Sequence, residues 1–166
     1  RHAKRKREAF TKIGSKLFAK VREKQGPKWH SNRVPINPLP ARTFMDSEQL
    51  AELAAEACDD RKGVDIQLIR VDEVSSLADW LVIAGGQSDV QVKAMARSVE
   101  DRLEEDAKRL PLRKEGMNEG RWALLDYGEL IVHILQSQER SYYDLEAFWS
   151  HGERRSHQAS EPSVGH

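Results

Sequence analysis

Apolar residues recur every three or four positions in two long stretches of the chain, which is the spacing of a helix with one buried face. The first stretch begins at Asp46 or Ser47, either of which can cap a helix N-terminus, and it ends at Gly63. The second begins at Ser88 and continues to about Leu110. The pattern therefore predicts two amphipathic helices.

Other stretches have the pattern of strands. Residues 64–70 alternate between apolar and polar side chains, as in a strand with one face in water. Residues 77–84 (LADWLVIA) are mostly apolar and predict a central strand that is buried on both faces. Residues 121–125 and 130–135 predict the arms of a hairpin, with its turn at 126–129.

The order of these elements predicts the fold class. A short helix at about 141–149 completes the order helix, strand, strand, helix, strand, strand, helix. The step across residues 77–125 is long enough for a crossover that permits parallel pairing, whereas the hairpin has to be antiparallel. We therefore predict an α/β (α+β) domain in which helices cover a mixed sheet.

Composition divides the 166 residues into three parts. Residues 1–44 open with a charge run and an amphipathic basic helix, and the prolines between positions 27 and 40 predict an extended linker. The folded domain is predicted at 45–150 and a polar tail at 151–166. No apolar run approaches the roughly 20 residues that a membrane helix needs, so no membrane partner is predicted.

Residues 1–44, which we call the basic arm, contain 13 Lys or Arg and two acidic residues, a net charge of +11, whereas the other residues carry −11. Such an arm is expected to contact a polyanion. We favour contact with RNA phosphates over the alternative of a solvated helix that aids solubility. The candidate contacts are Lys4, Arg5, Lys6, Arg7, Lys12, Lys16 and Lys20.

Candidate catalytic and metal-binding residues are few. Residues 85–88 (GGQS) precede a helix N-terminus and could bind a phosphate, but the full phosphate-loop pattern and a pair of metal-binding carboxylates are absent. His133, inside a strand, fits a hydrogen-bonded sheet residue, and Cys58, on an apolar helix stripe, fits a core residue. We therefore predict no cofactor, no metal and no enzyme activity.

Both faces of the predicted hairpin are apolar. Trp122 and Leu124 share one face of their strand, and His133 alternates with apolar neighbours on the return strand. One face can pack on helices, whereas the other needs a second cover or is an interaction surface. The alternative is that Trp122 belongs to the ordinary core.

Four blocks of sequence follow one another between about positions 47 and 150. They are LADWLVIAGGQS at 77–88 with VKA at 92–94, PLRKEG at 111–116, WALLDYGELIVH at 122–133 and RSYYDLEAFW at 140–149. Together these blocks resemble the signature of the ribosomal silencing factor (Iojap) family. The family often has Thr-Gly or a similar pair where this chain has Gly85-Gly86, and the basic arm lies outside the family pattern.

The resemblance implies a nucleotidyltransferase-like fold without the catalytic carboxylates of the transferases. It also implies binding to ribosomal protein fourteen of the large subunit, where a bound factor blocks the small subunit, represses translation and can assist large-subunit maturation. The implied partner contacts are Trp122, Asp126, Tyr127 and His133, and proximity adds Arg113 and Tyr143.

Two other functions stay open at this point. One is a divergent nucleotidyltransferase that uses Ser88 and Asp126, and the other is an RNA-binding assembly factor that acts through the basic arm. A cytoplasmic location is expected, with the plastid stroma or mitochondrial matrix as the alternative, because a basic, acid-poor start is also typical of targeting segments. The sequence is compatible with a monomer or a homodimer.

Overall fold

A computed structural model of the chain describes residues 45–148 and 152–158. The basic arm, with its predicted helix, linker and seven candidate RNA contacts, lies outside the described residues. So do Trp149 and the end of the predicted tail. The fold is therefore that of the region from Met45 onward.

The described residues form helices and strands in mixed order. The helices are α1 (Ser47–Asp59), α2 (Asp89–Ala107), α3 (Ser137–Tyr143) and α4 (Leu145–Phe148). The strands are β1 (Val64–Arg70), β2 (Trp80–Gly86), β3 (Arg113–Glu115), β4 (Trp122–Asp126), β5 (Leu130–Gln136) and β6 (Glu153–Ser156). Of the helices in this part of the chain, none has the length and apolar character that crossing a membrane requires.

All six strands belong to one sheet, in the order β3-β4-β5-β2-β1-β6. β2 and β5 are parallel, and the other neighbouring pairs are antiparallel. The predicted mixed sheet covered by helices, an α+β domain, is confirmed. The crossover that leaves β2 runs through α2, β3 and β4 before it returns as β5, so the parallel partner of β2 is the second arm of the hairpin.

α1 begins where the sequence predicts because Asp46 forms a capping box. The Asp46 carboxylate accepts a hydrogen bond from the Gln49 backbone N–H at 2.8 Å, and the Gln49 side chain accepts one from the Asp46 N–H at 3.0 Å. Cys58 lies on the buried stripe of this helix, and burial raises the pKa of its thiol to about 12. The thiol is therefore a protonated core group, as predicted.

The helix ends differ from the sequence prediction at two places. α2 ends earlier than predicted because Lys108 takes a left-handed conformation and its N–H turns back to the last carbonyls of the helix. The helix predicted at 141–149 begins earlier, at Ser137. It is broken at Asp144, whose φ of 44° is left-handed, and so becomes the two short helices α3 and α4.

The hydrophobic pattern did not predict β3 and β6, which form the two edges of the sheet. Both are short and polar in sequence, RKE and ERRS. β6 falls inside the predicted polar tail and pairs with β1. Arg155 of β6 lies 5.2 Å from the ring centre of Trp80 and forms an ion pair with Glu48 at 2.7 Å. Contacts made by polar side chains therefore hold this edge in place.

The sheet separates two apolar clusters. On one side α1 and α2 cover the larger cluster, which includes Val82 and Val132. On the other side a smaller cluster includes Ile83 and Leu135, and Leu145 of α4 contributes to it. β2 lies between the clusters and is buried along its whole length, which confirms the predicted central strand.

Candidate partner-binding surface

The β4–β5 hairpin places three of the predicted contact residues, Trp122, Asp126 and His133, on the sheet face opposite α1 and α2. The register pairs Trp122 with Leu135 and Leu124 with His133. Residues paired in this way project to the same face of an antiparallel sheet. Trp122 and Leu124 are half-buried and pack at the border of the smaller apolar cluster. We define the hairpin surface as Arg113, Trp122, Leu124, Asp126, His133 and Tyr143, of which Asp126 and His133 are themselves buried, at 8 % and 4 % exposure.

Trp122 is held by two neighbours on the hairpin surface. Its Nε1–H donates a hydrogen bond to Nδ1 of His133 at 3.1 Å. The ring centres of Trp122 and Tyr143 lie 5.3 Å apart, and Tyr142 packs edge-on against Tyr143 at 4.9 Å. The indole is thus fixed in orientation while part of it remains exposed.

Asp126 ends β4 and shapes the turn of the hairpin. Its Oδ1 accepts a hydrogen bond from the Gly128 N–H at 2.9 Å, and the Tyr127 N–H donates to the Leu130 carbonyl at 2.8 Å. Arg113 of the edge strand β3 is the register partner of Asp126. A cationic residue and a carboxylate therefore lie side by side at the turn end of the hairpin surface.

The structure does not place Tyr127 on the hairpin surface. Its side chain is fully buried in the larger cluster, on the side of α1 and α2. Burial and then the neighbouring Glu100 carboxylate raise the pKa of the Tyr127 hydroxyl. The prediction for Tyr127 is corrected from a partner contact to a core residue, because Tyr127 continues the strand face of Ala123 and Leu125, whose side chains also lie in the larger cluster.

Arg109 supports the turn from the same side as Tyr127. Its Nη2 donates to the Tyr127 carbonyl at 2.8 Å, and its guanidinium forms an ion pair with the Glu129 carboxylate. The hydrogen bond and the ion pair with Glu129 therefore brace the turn. Sequence reasoning did not single out Arg109, which follows the end of α2.

Ser88 and Asp126, the pair that a divergent nucleotidyltransferase would use, lie toward opposite ends of the sheet. Ser88 comes two residues after Gly86, which pairs with Gln136 of β5. Asp126 instead pairs with Ile131 of the same strand. At a rise of about 3.3 Å per residue, roughly 16 Å of strand separates these two partners. The two side chains do not form one site.

The capped helix after residues 85–88 is as predicted, but the predicted glycine turn is not: Gly85 and Gly86 are the last residues of β2, and only Gln87 and Ser88 connect the strand to α2. The Ser88 hydroxyl accepts a hydrogen bond from the Gln91 N–H at 3.1 Å, and the Gln91 side chain accepts one from the Gln87 N–H at 2.7 Å. The amide of Gln91 also donates to the Arg61 carbonyl at 3.0 Å. Within residues 45–148 and 152–158, no group of three His, Cys, Asp or Glu side chains is close enough to hold a metal ion.

Two leucines beside the hairpin were missed in the sequence. Leu110 and Leu112 are 63 % and 74 % exposed, and they flank Pro111 between α2 and β3. Leu112 lies next to Gly128 of the hairpin turn, and its N–H donates to the Asp126 carbonyl at 2.7 Å. Apolar side chains on both sides of a proline that follows a helix are the signal that could have indicated exposed apolar residues beside the hairpin turn.

Comparison with known proteins gives one family. The family model described as "Ribosomal silencing factor during starvation" matches residues 45–165. The chain is 39% identical over 105 residues to "Ribosomal silencing factor RsfS" of Bacillus subtilis, covering 63% of this chain and 88% of that relative. It is 37% identical over 120 residues to the protein of the same name in Zymomonas mobilis, covering 72% of this chain and 90% of the relative.

A solved structure shares the fold. The crystal structure of a protein from Chromobacterium violaceum is 36% identical to this chain, with a TM-score of 0.62. The likeness covers 73% of this chain and 95% of that one. The likeness in fold therefore agrees with the likeness in sequence.

Proposed function

This chain belongs to the ribosomal silencing factor family, whose members are ribosome-associated regulators of translation, and from that premise we propose that it binds the large ribosomal subunit through the hairpin surface and prevents the small subunit from joining. The proposed docking site is ribosomal protein fourteen, at the subunit face that meets the small subunit. No bond is made or broken, so the effect depends on affinity and on the space that the bound domain occupies.

The observation that carries this proposal is the orientation of Trp122. The indole is fixed by His133 and contacts Tyr143, yet it is only half-buried. Tryptophan, tyrosine and arginine are the residues that most often carry the binding energy of an interface. An indole that is ordered before the partner arrives loses less conformational freedom on binding, which favours affinity.

The hairpin surface also has the composition of an interface. Its centre is apolar, at Trp122 and Leu124, and at its turn end lies the half-buried Arg113, the register partner of Asp126, which is only 8 % exposed. An apolar centre with a polar rim is the usual arrangement in protein–protein interfaces, and Arg113 has the position of such a rim residue. The exposed Leu112 lies beside the hairpin turn.

Binding to isolated subunits tests the first half of the proposal. Purified protein is mixed with large or small ribosomal subunits and sedimented through a sucrose cushion. We expect the protein to co-sediment with large subunits and to stay in the supernatant with small subunits. Equal recovery with both subunits, or no recovery with either, would contradict the proposed docking site.

The basic arm is proposed to add affinity by contacting ribosomal RNA. A change of its candidate contacts to glutamine should flatten the salt dependence of large-subunit binding, by roughly 0.9 in the log–log slope for each lost phosphate contact. The measurement is the dissociation constant across a range of salt concentrations. The residues to change are Lys4, Arg5, Lys6, Arg7, Lys12, Lys16 and Lys20.

A matched control for the arm variant removes cations from the described domain. Lys62 and Arg97 are exposed on the side of α1 and α2, away from the hairpin surface. Their replacement by glutamine should leave the salt slope unchanged. If the arm variant keeps the slope of the unmodified protein, the arm does not contact RNA on the subunit.

A further inference from the structure

We propose that His133 is a positioning residue, which orients the Trp122 indole for partner binding without contacting the partner itself. This inference rests on the proposed function, because it assigns His133 a role in the same surface. His133 is only 4% exposed, so it offers almost no area to a docking protein. Any effect of His133 on binding therefore has to act through a neighbouring side chain.

His133 is a polar ring in an apolar part of the sheet. Its register partners are Leu124 on β4 and Ile83 on β2, both apolar. A buried polar group is costly to keep unless it is hydrogen-bonded. The Trp122 N–H supplies such a bond to Nδ1 at 3.1 Å. A leucine at position 133 would fit the apolar row but could not accept it.

The direction of this hydrogen bond determines which ring nitrogen of His133 is the acceptor. The indole N–H is a donor only, so Nδ1 of His133 has to be the acceptor and carries no proton. In a neutral imidazole the proton is then on Nε2. Because Trp122 and His133 are diagonal neighbours on adjacent strands, the bond spans the hairpin and fixes the indole relative to both strands.

Folding alone does not require this acceptor. Trp122 is half-buried, and an indole at the border of a cluster can have its N–H bonded to water. The bond to His133 instead selects one orientation of the ring in the free protein. The rotational freedom of the indole is therefore lost during folding and not during association, which strengthens binding.

Two substitutions test whether Trp122 needs the hydrogen-bond acceptor at position 133 or the imidazole ring as such. His133→Asn keeps an acceptor, because the Asn Oδ1 can occupy roughly the place of Nδ1, whereas His133→Leu removes it. The first readout is the indole N–H resonance of Trp122 in ¹⁵N-labelled full-length protein, assigned by its absence in Trp122→Phe. We expect His133→Leu to shift this resonance and speed its exchange with water, and His133→Asn to preserve its protection.

The second readout is affinity for isolated large subunits. His133→Leu should weaken binding by about fivefold, the scale expected for releasing one side chain, and His133→Asn should restore it to within about twofold. In the Trp122→Phe background, which has no N–H, the change His133→Leu should have no further effect. That cycle separates positioning of the indole from a general loss of structure.

The results that would overturn the positioning role are distinct from one another. An unchanged indole resonance in His133→Leu would overturn the hydrogen bond, and a changed resonance with undiminished binding would overturn the positioning role. An equal loss of affinity in the Trp122→Phe background would show a merely structural role. If the unmodified protein failed to bind large subunits, the proposed function would be lost and the positioning role with it, while the resonance would still test the hydrogen bond.

Discussion

Replacement of Trp122 by alanine is expected to weaken binding to the large ribosomal subunit by about 1–3 kcal/mol, a fivefold to 150-fold loss of affinity. Trp122 is the largest side chain of the hairpin surface, and it is oriented by His133 and Tyr143 while part of it stays exposed. Alanine removes both the contact area and the ordered ring. The measurement is the dissociation constant from co-sedimentation at fixed salt.

The control for Trp122→Ala is a long, exposed side chain on the other side of the sheet. Arg97 of α2 meets that description, and Arg97→Ala should bind as the unmodified protein does. Thermal unfolding of each variant shows whether the fold is retained. Undiminished binding by a folded Trp122→Ala variant would remove Trp122 from the interface.

Gly116→Ala is expected to destabilise the domain by about 2–5 kcal/mol. Gly116 has a φ of 71°, a conformation that costs about 1–2 kcal/mol for other residues. A Cβ there would also overlap the backbone carbonyl oxygen of Trp122, so β4 or the preceding loop would have to move. Overpacking of this kind adds about 1–3 kcal/mol. Chemical denaturation measures the change in the free energy of unfolding.

Gly128→Ala is the matched control, because it has backbone strain without the overlap. Gly128 has a φ of 98°, but the nearest atom to an added Cβ is a Leu112 methyl group at 3.6 Å. Its expected cost is therefore the conformational part alone, about 1–2 kcal/mol. Equal destabilisation by the two substitutions would show that Gly116 is needed only for its backbone angle and not for its close approach to β4.

The sequence was sufficient for the elements with a sustained apolar pattern. α1 and α2 have a helical hydrophobic period, whereas the central strand and the arms of the hairpin are mostly apolar runs. β3 and β6 have no such period, because they are polar edge strands held by neighbours far away in the sequence. Pairing at an edge depends on the finished sheet, and no local pattern determines it.

Strand alternation predicts which side of the sheet each candidate residue of the hairpin faces. Alternation and the family resemblance placed Trp122, Asp126 and His133 together, and the register agrees with that placement. Tyr127 continues the face of Ala123 and Leu125, so the alternation that puts Trp122 and Asp126 on one side of the sheet puts Tyr127 on the other, in the core. The hydrogen bond between Trp122 and His133 depends on side-chain rotamers across two strands, which the sequence pattern does not specify.

Subunit joining tests the central claim most directly. Purified large and small ribosomal subunits are mixed at a magnesium concentration that permits their association, and joining is followed by light scattering with increasing amounts of this protein. The account predicts that a saturating amount suppresses joining and that Trp122→Ala needs a higher concentration for the same effect. Normal joining while the protein is bound to the large subunit would contradict the account.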